Sequence, residues 1–162
     1  GDRPVAGMWA AEALRVAAWR PRLGFETDQR TIPHEVDWLR TAVHLHKGCY
    51  RGQETVARVH NLGRPPRRLV FLHLDGSGHV LPECAAEVEV EGRAVGRLTS
   101  VALYFELGPI ALAVIKRNTP PDAACLATGK SASKGEMVQR EDWVVPKGDA
   151  GVRGGGPHSR RG

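Results

Sequence analysis

The chain has 162 residues, 41% of them apolar, and a formal charge of +5; that is one ordinary domain or two small ones with enough apolar side chains for a packed core, which excludes wholesale disorder. The stretch from Lys147 to Gly162 holds +3 of that charge, so the basicity is largely that of a tail and gives little support to a nucleic-acid-binding face. No run approaches the roughly 20 apolar residues needed to span a bilayer, and Gly1-Asp2-Arg3-Pro4 has no signal-peptide pattern, so a cytoplasmic protein without membrane contact is expected.

A start at Gly1, without an initiator methionine and close to helix-like sequence, reads as a fragment whose N-terminal portion is missing; a processed mature terminus is the alternative. Met8, Trp9, Ala11 and Leu14 form one apolar helical face, after which Leu14-Arg15-Val16-Ala17-Ala18 reads as a strand. Pro21 and Gly24 punctuate a loop. Thr31-Ile32-Pro33-His34-Glu35 opens a short helix to about Leu39, with Pro33 in the first turn and Glu35 near its positive end. Thr41 to His46 alternates and predicts a strand. Gly52 to about His60 predicts a helix, with Val56 and Val59 buried, stopped by Gly63-Arg64-Pro65-Pro66.

From there the pattern is of strands. They are expected at Arg68–Leu74, at Glu87–Glu91 with Gly92 turning the chain, at Arg93–Ala102 with Gly96 marking a bulge or close packing, and at Pro109–Ile115, which is apolar on both faces. Several short strands in about 50 residues indicate a small antiparallel barrel. From Thr119 onward the order is expected to decay, with little stable structure beyond Pro146.

Chemistry concentrates in Lys47-Gly48-Cys49-Tyr50-Arg51-Gly52-Gln53-Glu54. Cys49 lies between two cations just before a predicted helix N-terminus, and both influences favour thiolate over thiol. Gly48 and Gly52 allow a tight turn and close backbone approach, while Gln53 and Glu54 can hold the loop or help a partner dock. Residue chemistry alone leaves two readings open: a reactive thiol, or a small buried hydrophobe. Cys84 and Cys125 lie far away with no metal-ligand spacing, so neither zinc nor a disulfide framework is expected, in keeping with a reducing compartment. His44 and His46 read as solvent-facing strand histidines, with no third ligand evident for a metal. Asp28 and Glu35 are read as loop and helix-start charges rather than an acid–base pair. Thr99-Ser100 lacks a partnering base, and Arg64, Arg67 and Arg68 read as a solvated linker.

The octapeptide resembles the signature K-G-C-[YF]-x-G-Q-E of the YgfZ family of folate-binding proteins, a family related to the aminomethyltransferase T-protein of the glycine cleavage system and to iron–sulfur assembly factors. TIPHEVDWL, ETVARVHNLGRPPRRLV, GRAVGRLTSVA and GPIALAVIKR resemble flanking family segments, so the likeness runs from about Ala10 to Arg117. It implies an α+β chain: residues 1–63 as the end of a ferredoxin-like central folate-binding module, 64–118 as an aminomethyltransferase-type C-terminal β-barrel, and 119–162 as a poorly ordered basic Gly/Pro-rich tail. The first module of the family, and half of its folate cavity, would be absent.

The resemblance further implies tetrahydrofolate as cofactor, iron–sulfur client proteins as partners and no direct nucleic-acid binding. The role would be accessory, supporting assembly or maintenance of iron–sulfur enzymes, tRNA-methylthiolating ones included, through Cys49. Lys47, Gly48, Cys49, Tyr50, Gly52, Gln53 and Glu54 carry over from the signature, and Arg51 falls at its variable position. Arg20, Arg22 and Tyr50 are the candidate folate contacts, since Arg pairs well with a glutamyl carboxylate. The rival readings are a folate-dependent aminomethyltransferase and a non-catalytic interaction module. One departure stands out. Where the transferases read L-R-x-E-[AG]-G, with the acidic residue holding the pterin, this chain has Ala17, and a methyl group cannot accept the pterin hydrogen bonds.

Overall fold

The computed structural model describes residues 7–78, 80–128 and 132–138. Three helices precede a β-barrel: α1 (Met8–Ala17), α2 (Leu39–Ala42) and α3 (Gln53–Leu62), with a 3-10 turn at Pro33–Val36. The strands are β1 (Arg67–Leu74), β2 (Glu87–Val90), β3 (Arg93–Tyr104), β4 (Gly108–Lys116), β5 (Cys125–Thr128) and β6 (Ser133–Val138). They close in the order β1-β4-β3-β2-β5-β6, with β6 returning to β1 and every pairing antiparallel. Closure removes the sheet edges that would otherwise recruit other chains. The α+β class and the small antiparallel barrel expected from the sequence are what is found.

The alternation along β1 and β4 explains why β4 reads as apolar on both faces. Val70, Leu72 and Leu74 of β1, with Ala111, Ala113 and Ile115 of β4, fill the barrel interior alongside Val88, Leu98 and Met137. The residues between them, Leu69, Phe71, Ile110, Leu112 and Val114, face outward and are covered by Ala13 and Val16 of α1. Each strand therefore buries two faces, one against the barrel interior and one against a helix. Gly96 sits where β3 crosses β4, and a Cβ there would overlap the Val114 carbonyl oxygen. Close packing and a bulge meet at this glycine: the pairing with β2 passes from Val88–Gly96 to Glu89–Ala94, leaving Val95 as the extra residue, and a second register shift, against β4, falls between Leu98 and Ser100, where Thr99 Oγ1 donates to the Leu112 carbonyl at 3.0 Å.

Three sequence expectations are corrected. Leu14–Ala18 is not a strand: the helix continues to Ala17, stabilised by Arg15 reaching back one turn to Glu12 at 2.6 Å. Thr41–His46 is not a strand either; α2 ends at Ala42 and the chain then turns, with no strand paired to it among the described residues. Order does not decay at Thr119, because β5 and β6 complete the barrel and carry it past residue 118 to Val138. The expectation for the chain beyond Pro146 lies outside the described residues.

Two ionic clusters fasten the N-terminal segment to the barrel. Glu26, 1% exposed, accepts hydrogen bonds from the Arg22 amide at 2.7 Å and from Ser100 Oγ of β3 at 2.5 Å, and pairs with Arg15 at 3.3 Å. Arg67, the first residue of β1, spreads its guanidinium across Asp28 and Glu35. The segment between these carboxylates becomes one wall of the candidate site.

Candidate functional site

The first wall is the stretch from Gln29 to Pro33. Its two ends are fixed by one side chain: Arg67 donates to Asp28 at 2.6 and 3.1 Å and to Glu35 at 3.0 and 2.8 Å. Asp28 also accepts from Thr31 Oγ1 and the Arg30 amide, both at 2.9 Å, forming a compact turn. The Arg67 guanidinium holds the Asp28 carboxyl well below its usual range, and Asp28, then Glu35, hold Arg67 protonated more firmly than usual. Glu35 in turn accepts from the Ile32 amide at 3.2 Å. Arg67 is thus a structural fork rather than a solvated linker residue.

The second wall is built from the signature. Gly52 takes φ +82°, a left-handed conformation in which its carbonyl accepts the first α3 bond, from Val56 N at 3.1 Å. The positive φ, not lack of space, favours glycine there, since a Cβ would meet no neighbouring atom. Just upstream, the Tyr50 carbonyl accepts from Gln53 N at 3.2 Å, and Lys47 Nζ stands 5.3 Å from the centre of the Tyr50 ring. Between the walls lies an open cavity of roughly 490 Å³, lined by Arg30, Thr31 and Pro33 on one side and by His44, Lys47, Tyr50, Arg51, Gly52 and Thr55 on the other. That volume falls within the range of small-molecule sites.

Cys49 is exposed, which removes the reading of it as a small buried hydrophobe. Its neighbours Lys47, Tyr50 and Arg51 line the cavity, so the thiol belongs to the loop that forms the cavity's rim. Cys84 is also exposed, whereas Cys125 lies in the barrel interior and burial pushes its thiol pKa up. Glu54 is exposed in the first turn of α3, and Gln53 opens that helix.

The structure brings Lys47, Tyr50, Arg51 and Gly52 together with Arg30, but leaves the other expected folate contacts elsewhere. Arg22 lies over the Phe25 ring at 3.5 Å and pairs with Glu12 of α1 at 3.4 Å, and the Arg20 carbonyl accepts from Arg15 at 2.5 Å. Neither arginine lines the cavity. Ala17 ends α1 and packs against the barrel's outer cluster, beside the stacked Trp19 and Phe71 rings. His44 and His46 meet edge-on with ring centres 6.3 Å apart.

Sequence reasoning missed one element behind the site. His34, 5% exposed, and His60 of α3 bring their rings to 6.1 Å, joining the 3-10 turn to the helix that follows the signature. Neither nitrogen of His34 has a hydrogen-bond partner among the described residues. Burial, and then the proximity of His60, lower the His34 pKa. The sequence carried no local signal for this contact, because it joins residues 26 positions apart.

No family model matches the chain. A chloroplastic protein of Arabidopsis thaliana, provisionally described as a transferase, is 34% identical over 98 residues, which is 58% of this chain and 21% of that protein. The crystal structure of the glycine cleavage system aminomethyltransferase T from Bartonella henselae superposes with a TM-score of 0.62 at 17% identity, over 83% of this chain and 38% of that one. The chain therefore shares a fold with part of an aminomethyltransferase. It spans about a fifth of the Arabidopsis protein and under two fifths of the Bartonella protein.

Proposed function

We propose that the chain belongs to a folate-binding accessory protein of the YgfZ type, one that supports assembly or maintenance of iron–sulfur enzymes through Cys49. The observation that carries this reading is the exposure of Cys49 on the loop that rims a cavity lined by its own signature neighbours. A working thiol must be reachable by a client, and a structural one need not be. The likeness in fold to an aminomethyltransferase supports tetrahydrofolate as the ligand of the longer protein.

The transferase rival is supported by the fold and by the Arabidopsis relative described as a transferase. Ala17 speaks against it, since it puts a methyl group where the resemblance calls for a pterin-binding carboxylate, and it packs into an apolar cluster. The two readings separate in one assay. The protein is supplied with tetrahydrofolate and an aminomethyl donor, and one-carbon release is followed. The accessory reading expects no folate-dependent turnover; sustained turnover would replace it with the transferase.

A further inference from the structure

The cavity of the signature loop has an uneven charge. Arg30 enters from the first wall, Lys47 and Arg51 from the second, and no carboxylate lines it. No ion pair joins any of these three cations to a described residue. Four other arginines in this part of the molecule are matched: Arg15 and Arg22 by Glu12, Arg40 by Asp37, Arg67 by Asp28 and Glu35. The larger cavity beside the barrel, roughly 650 Å³, has the Glu87 carboxylate on its lining beside Arg97 and Lys116, and its Arg67 is already paired. Three cations without an ion pair on the lining of one cavity give it a positive potential that favours an anion. Two of them are arginines, whose planar forks take carboxylates in pairs of hydrogen bonds.

We propose that this cavity is a binding site for a ligand carrying two or more carboxylates, held by Arg30 from one side and by Lys47 and Arg51 from the other. The two walls are independent segments, so a ligand with spaced carboxylates bridges them where a single small anion meets only one. Thr31 and Thr55 supply neutral hydroxyls at the margins, and the Tyr50 ring a flat contact for the ligand's carbon chain. Two sources carry this chemistry: glutamate residues of an acidic peptide, and the γ-linked glutamyl tail of a folate. The site stands on the cavity and its charges, not on the accessory role. Loss of complementation with binding retained would remove that role and leave the site, and the converse would remove the site alone.

The test is calorimetric titration of the protein with γ-linked triglutamate, α-linked triglutamate and, as a neutral control, triglutamine. Either triglutamate is expected to saturate one site and triglutamine to give none. Affinity should fall about tenfold or more with Lys47→Ala and with Arg51→Glu, as for loss of a charge-assisted hydrogen bond. Arg58→Glu, an exposed cation of α3 outside the cavity lining, changes the net charge as much as Arg51→Glu and should leave binding within about twofold. Tighter γ-linked binding identifies a folate tail, and tighter α-linked binding an acidic peptide. No saturable triglutamate binding, or an Arg58→Glu loss equal to that of Arg51→Glu, would overturn the site.

Discussion

At the scale of single residues, the two signature glycines do different things. Gly52 sits at φ +82° and begins α3, while Gly48 has neither a positive φ nor a close neighbour. Gly52→Ala should therefore cost about 1–2 kcal/mol through the left-handed backbone alone, and Gly48→Ala should lie within about 0.5 kcal/mol of the parent. Denaturant unfolding of both variants measures the contrast. His34 makes the stability depend on pH. Its folded pKa is lowered from 6.5, so the unfolded chain takes up the proton first. The stabilisation is complete above pH 6.5 and is lost as the pH falls below it. The melting temperature should drop between pH 7 and 5, and His34→Gln should flatten that drop; an unchanged slope would refute the assignment. Residue chemistry made Cys49 legible as a candidate, because two cations and a helix start surround it in the sequence. Its exposure was not legible, since burial is decided by what packs on the loop.

At the scale of elements, Arg67 ties the first strand of the barrel to both ends of the cavity's outer wall. Removing it would leave Glu35, 0% exposed, with a buried uncompensated charge. Arg67→Met should destabilise the fold by about 3–5 kcal/mol. It should also restore the Asp28 carboxyl towards its ordinary pKa of 3.8, weakening the acid-dependent loss of stability that now sets in as the pH falls below that value. Equilibrium unfolding at pH 7 and pH 3 reads both effects, and a loss below about 1 kcal/mol at pH 7 would show that the fork holds little. The strands β1 to β4 were legible because large apolar residues recur along them. β5 and β6 were not, because their inward positions are small or polar: Cys125 and Ala127 in one, Ser133 and Gly135 beside Met137 in the other. Their burial comes from closing the barrel, which no local pattern announces. Thr41–His46 failed the other way, with alternation in the sequence and, among the described residues, no strand beside it to use it. Arg15 lies within the misread strand at 14–18, and its ion pair to Glu12 is a helical signal that alternation obscures.

At the scale of the whole molecule, the described residues form a barrel with a helical segment laid against it, and the signature loop stands on that segment. No helix among them is long and apolar enough to cross a membrane. Fold and signature belong to different kinds of inference. The superposition on an aminomethyltransferase establishes architecture, whereas the proposed chemistry rests on a thiol and three cations gathered on one loop and its facing wall. Two exposed cysteines let these be tested against each other in the same protein. In a strain lacking the family member, the longest gene that encodes this chain is supplied with Cys49→Ala or with Cys84→Ala, and the activity of an iron–sulfur tRNA-methylthiolating enzyme is measured. Cys84→Ala should restore that activity to the parent level and Cys49→Ala should not; full restoration by Cys49→Ala would contradict the account at its centre.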